Sequence, residues 1–178
     1  MTAPLNENAT TVAVDVMPDG TYAVGVHYGP DHSIALNPLQ ALTYVIKLYR
    51  VASSAEYGAA VLAQLSTLGI ADDKALPTVG EILGKAWDGL DLAKTIHAIP
   101  VISATGRRPH VRFDLEGKPF AHIQVPAEDA RKHAAAVQHA AANVLLDTEY
   151  HRYLRGPLNL PDDRARNLVA DLAHHRIQ

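Results

Sequence analysis

The chain has ten histidines and no cysteine, and this limits the chemistry it can attempt. His139, Asn143, Asp147 and His151 fall four residues apart, so in a helix they share one face. Two imidazoles and a carboxylate are zinc-type ligands. His139 and His151 would nevertheless stand three turns apart, about 18 Å, too far for one ion to bridge. Only Asp147 and His151 are close enough to act jointly, and an exposed i,i+4 charge pair is the expected role. No metal or cofactor is expected. The missing cysteines exclude disulfides, thiolate zinc sites and thiol nucleophiles.

Nucleophilic and phosphate chemistry find no support either. No Gly-x-Ser-x-Gly elbow surrounds Ser33, Ser53, Ser54, Ser66 or Ser103, and no phosphate-cradling glycine loop occurs. The acidic pairs Asp72-Asp73 and Asp162-Asp163 sit at turns or helix starts, where capping accounts for them. The chain therefore reads as non-enzymatic, with no catalytic residue.

The most local charge feature is Thr105-Gly106-Arg107-Arg108-Pro109, followed by His110 and Arg112. A two-stranded ribbon with arginines at its tip can contact phosphates or enter a nucleic-acid groove. Asp114, Glu116, Glu128 and Asp129 follow closely, so a solvated hairpin tip is the simpler expectation. Nucleic-acid binding through Arg107, Arg108, His110 and Arg112 is the second functional reading.

These residues need elements to hold them. Met1 to Thr10 reads as a flexible leader without a secretory pattern. Thr11–Val16, Tyr22–Tyr28 and Ser33–Leu36 read as strands separated by Pro18-Asp19-Gly20 and Gly29-Pro30-Asp31. Asn37-Pro38, with Gln40 at N3, opens a helix that runs to about Leu68 and stops at Gly69. Its stripe is Ala41, Val45, Leu48, Ala52, Ala55, Ala59 and Leu62, expected to lie on the helix's own sheet. Asp72, Asp73 and Pro77 mark a loop before a short helix from Thr78 to Trp87, and Leu90–Ala98 fits helix or strand.

The same order then returns. Ile99–Ala104, His110–Leu115 and Pro119–Val125 read as strands, Pro126 opens a helix to Arg155, and a last helix spans Pro161–His175. At an offset of 89 residues the two copies align without gaps, Ala41 on Ala130, Ala52 on Ala141 and Leu65 on Leu154. The expected fold is α+β, two pseudo-repeated β-β-β-α units with an antiparallel sheet under two long Ala-rich helices and shorter ones. The halves are residues 11–89 and 90–178, expected to form one composite domain. A helix of ~28 residues is ~42 Å long and overhangs a ~20 Å strand, so it must bend, break near Ser53-Ser54 or Gly58, or find another cover.

The composition is that of a folded protein, 48% hydrophobic and 20% charged, and the net charge of −3 is too mild to announce nucleic acid or membrane. No apolar run approaches the ~20 residues of a membrane span, so a cytoplasmic location is expected. Ser33 to Ala41 and His122 to Ala130, each a strand feeding an alanine-rich helix, resemble a recurring element of small uncharacterised proteins from actinobacteria and their phages. That resemblance implies an actinobacterial or actinophage source and an accessory role, and it carries no catalytic residues across; Asn37-Pro38 and the uncapped Pro126 depart from its pattern. The expected function is a non-enzymatic accessory protein acting by protein–protein contact, as a homodimer or in an assembly. The halves diverge in the last turns of the long helices, so Leu62, Leu65, Leu68, His151 and Leu154 are the expected interface.

Overall fold

The computed structural model describes residues 10–29, 31–86, 90–103, 107–116 and 121–176. The chain is α+β, with two antiparallel sheets and four helices among the described residues. Strands β1 (Thr10–Val16), β2 (Tyr22–Tyr28) and β3 (His32–Leu36) form the first sheet in sequence order. Its first turn is closed by Asp19, whose carboxylate accepts from the Thr21 amide at 3.0 Å and the Thr21 hydroxyl at 2.7 Å. Gly20 takes φ +82° there, a conformation that side chains resist.

Helix α1 (Pro38–Thr67) starts as the capping residues require: the Gln40 amide donates to Asn37 Oδ1 at 2.9 Å, and Gln40 Oε1 accepts from the Asn37 amide at 3.0 Å. It stops where Gly69, at φ +78°, lets the Ile70 amide reach back to the Leu65 carbonyl at 3.1 Å. Between these ends the helix is continuous through Ser53-Ser54 and Gly58. Helix α2 (Asp72–Ala86) begins earlier than expected, with Asp72, Asp73 and Pro77 helical rather than in a loop. The two aspartates complement the helix dipole, while Pro77 stands inside the helix, where it forfeits the bond toward the Asp73 carbonyl.

The second sheet comprises β4 (Leu90–Ala93), β5 (Ile96–Ile102), β6 (Pro109–Leu115) and β7 (Ala121–Pro126), again in sequence order. The ambiguous stretch 90–98 is thus strand, with a register irregularity between Asp91 and Ala93. Helices α3 (Ala127–Arg155) and α4 (Asp162–Arg176) complete the chain. The expected leader up to residue 9, Pro30, Trp87, Gly106, and the turn at 117–120 lie outside the described residues.

The gapless alignment needs a correction. The strand pairing does not keep one offset: with β3 set against β7 at 89, the registers set β2 against β6 at 87 and β1 against β5 at 86. The connections β1–β2 and β2–β3 are shorter than their later counterparts, which absorbs the difference.

Of the α1 stripe, Ala41, Val45, Leu48, Ala52, Ala55 and Leu62 are buried and Ala59 is half-buried, and on α3 Ala130, Ala134, Val137, Ala141 and Val144 form a second buried stripe. Their destination differs from expectation. Each long helix packs chiefly on the sheet of the other half, α1 across β4, β5 and β6, and α3 across β1 and β2, while the two helices run along each other. One core cluster therefore draws on both halves, with Val24, Val26 and Tyr28 beside Val111, Phe113 and Leu115. The overhang of α1 is covered by α2, through a second cluster of Leu62, Ala75, Val79 and Leu83. Gly58 permits this approach, since a Cβ there would stand 2.8 Å from Leu83 Cδ1.

Candidate functional site

At the meeting point of the halves lies a buried polar cluster. Tyr28 from β2, Tyr44 from α1 and His133 from α3 converge over Phe113 of β6, with the Tyr28 and Phe113 ring centres 5.4 Å apart. Tyr44 Oη is 2.9 Å from His133 Nε2, and the Tyr28 and Tyr44 hydroxyls are hydrogen-bonded to each other. Burial pushes both phenols up, and it lowers His133 to about 4. A neutral imidazole accepting from Tyr44, which accepts from Tyr28, satisfies the chain. All three side chains are buried, and they tie β2, α1 and α3 together within the core.

The histidine row on α3 does not assemble. His139 is exposed, Asn143 half-buried and Asp147 buried at 2% exposure, so the expected exposed Asp147–His151 charge pair is corrected. Asp147 faces inward, near Tyr22 of β2, whose hydroxyl is pushed up by burial and then by this carboxylate. His151 Nε2 lies 3.1 Å from Asp162 Oδ1 without hydrogen-bond alignment. Asp162 opens α4 and receives Arg166 Nε at 2.7 Å, which holds its carboxyl below the usual range, with Arg155 Nε at 3.5 Å. Among the described residues no three histidine or carboxylate side chains gather as metal ligands.

The arginine turn is tied down by the chain itself. Arg107, at φ 52°, donates to both Asp72 carboxylate oxygens at 2.5 Å and to Ser66 Oγ at 2.6 Å. Arg112 pairs with Asp114 at 3.2 Å, His110 Nδ1 lies 3.0 Å from the Arg108 carbonyl, and Arg108 is exposed. Arg107 thus fastens the β5–β6 connection to the start of α2.

The expected interface is largely consumed inside the chain. Leu62 is fully buried by α2 and Leu65 packs on the same cluster, because α2 folds back over the end of α1. His151 and Leu154 are half-buried, with His151 beside α4, and Leu68 is exposed.

Most of the exposed large apolar side chains among the described residues lie elsewhere. On α1 they are Leu39, Leu42 and Ile46 near its start and Tyr57 farther along, turned away from the buried stripe. On α3 they are Leu145, Leu146, Tyr150 and Tyr153. Sequence reasoning followed the inward stripes and missed this outward row; leucines at outward helical positions were the available signal. Farther along α1, an open groove of about 460 Å³ against α2 is lined by Tyr49, Arg50, Ser53, Ser54, Tyr57 and Ile82 with Leu83. Its rim carries Arg131, bonded to Glu56 at 2.7 and 2.9 Å and to Ser53 Oγ at 2.8 Å, with its guanidinium 5.7 Å from the Tyr49 ring centre. This bond from Arg131 holds the Glu56 carboxyl low. Among the described residues no helix is long and apolar enough to cross a membrane. No family model, curated protein or solved structure matches the chain.

Proposed function

We propose that the protein is a non-enzymatic accessory protein that works by protein–protein contact, built from two halves that share a β-β-β-α-α order, with β4 added at the start of the second, and related by an approximate twofold. The contact between Tyr44 and His133 supports the twofold, since residues that are counterparts touch each other only near such an axis. The short helices extend it: Asp72-Asp73, Ala75 and Val79 of α2 recur as Asp162-Asp163, Ala165 and Val169 of α4, with both alanines and both valines buried.

One observation carries the reading of function. Leu39, Leu42 and Ile46 are exposed on α1, whereas α3 holds Glu128, Arg131 and Ala135 at the positions 89 residues on. The same scaffold manages without large apolar groups there, so α1 displays them for another surface. Nucleic-acid binding through the arginine turn is the alternative, and the carboxylate already held by Arg107 weighs against it.

Leu39→Glu, Leu42→Arg and Ile46→Ala, made together, test the reading by chemical denaturation. Retention of stability to within about 1 kcal/mol is expected, as for exposed positions. A loss of several kcal/mol would make these leucines folding residues and overturn the reading.

A further inference from the structure

The twofold that carries Tyr44 onto His133 also carries Arg131 onto Leu42, Glu56 onto Leu145 and Ser53 onto Ala142, each 89 positions apart. At one end of the α1–α3 pair these positions hold an ion pair bonded to a serine. At the other they hold two leucines and an alanine, with Leu42 39% and Leu145 52% exposed. Leu39 and Ile46 continue this end along α1, and on α3 Leu146, Tyr150 and Tyr153, at spacings of four and three, form an exposed row about 100° round the helix from Leu145.

The size of this end is that of an interface. At roughly 200 Å² for a fully exposed side chain of this kind, the seven exposures leave roughly 700 Å² in water. Each partner in a standard complex contributes about 800 Å². The charge pattern selects among partners. Glu149 and Arg152, on α3 beside these residues, form an ion pair 2.5 Å apart and so add no net charge there. A second copy meets this surface without like charges at the centre, although each chain carries −3.

We propose that this apolar end of the α1–α3 pair docks a second copy of the chain, face to face, so that the same residues serve on both sides. The pairing of Leu42 with Leu145 rests on the twofold relation between the halves; the docking itself rests on the exposed surface.

Light scattering coupled to size exclusion, across a wide concentration series, reads the docking. Twice the 19.2 kDa chain mass is expected at high concentration, falling toward one chain on dilution. Leu42→Arg and Leu145→Glu should each weaken association at least about tenfold, or about 1.4 kcal/mol, and the double variant should be monomeric. A wild-type chain that stays monomeric throughout, or association indifferent to both substitutions, would overturn the proposal. The twofold has its own readout. The double variant recreates the Arg131–Glu56 pair, so its denaturation midpoint should exceed that expected from the two single changes. Strict additivity alongside lost association would remove the pairing and uphold the docking.

Discussion

Tyr44 Oη lies 2.9 Å from His133 Nε2, and each residue is the seventh of its long helix. The two helices therefore meet at the same distance from their first residues, each packed chiefly on the sheet of the other half. A tyrosine facing a histidine gives this meeting point a donor and an acceptor, which two identical hydrophobic residues would not.

Tyr44→Phe removes the hydroxyl that joins Tyr28 to His133. Two buried polar groups lose their partner in a site without water access, which costs about 1–3 kcal/mol. Urea denaturation at neutral pH reads this loss; a change below a few tenths of a kcal/mol would mean the cluster contributes nothing to stability.

His133 makes stability depend on pH. Its folded value is lowered by burial to about 4 against 6.5 for the free side chain. The unfolded chain thus takes up a proton first as pH falls, so stability is complete above 6.5 and is lost progressively toward 4. At pH 5 the loss is about 2 kcal/mol. His133→Gln should flatten the denaturation midpoint between pH 7 and 5 relative to the wild type, and an unchanged slope would exclude His133 as its source.

Gly58 lets α2 close on α1. Gly58→Val places branched carbons against Leu83 and should cost about 1–3 kcal/mol by overpacking. In a double-mutant cycle, Leu83→Ala should recover part of that loss. Full additivity would show that the two helices do not depend on this approach.

Arg107 is placed by Asp72, not displayed. Both partners are half exposed, so Arg107→Ala should cost under about 1 kcal/mol, less at high salt. The chain should also pass a DNA column without salt-dependent retention. Steep retention abolished by Arg107→Ala/Arg108→Ala would favour the nucleic-acid reading.

Much of the framework was legible in the chain because its causes are local. The Asn37–Gln40 cap, the Gly69 stop and both buried stripes follow from residue type and spacing alone. What stayed hidden was set by distant partners. The stripe beginning at Ala41 declares an apolar face but not which sheet will cover it, and the covering sheet is the later one. Asp72 looked like a loop residue because its arginine lies at Arg107, across the fold. Leu62 looked available because the helix that buries it, α2, reads locally as a broken segment around Pro77. Asp147 looked exposed for a similar reason, since Tyr22 reaches it from the first sheet.

The absence of native cysteine offers the most direct test of the apolar helix face. Leu42→Cys and Leu145→Cys, each as the sole thiol, would be treated with a short bismaleimide, with Tyr57→Cys as a control at a more exposed position toward the opposite end of the pair. The account predicts covalent dimers from Leu42→Cys and Leu145→Cys and none above background from Tyr57→Cys. Equal cross-linking at all three positions, or none at the leucine sites, would contradict it.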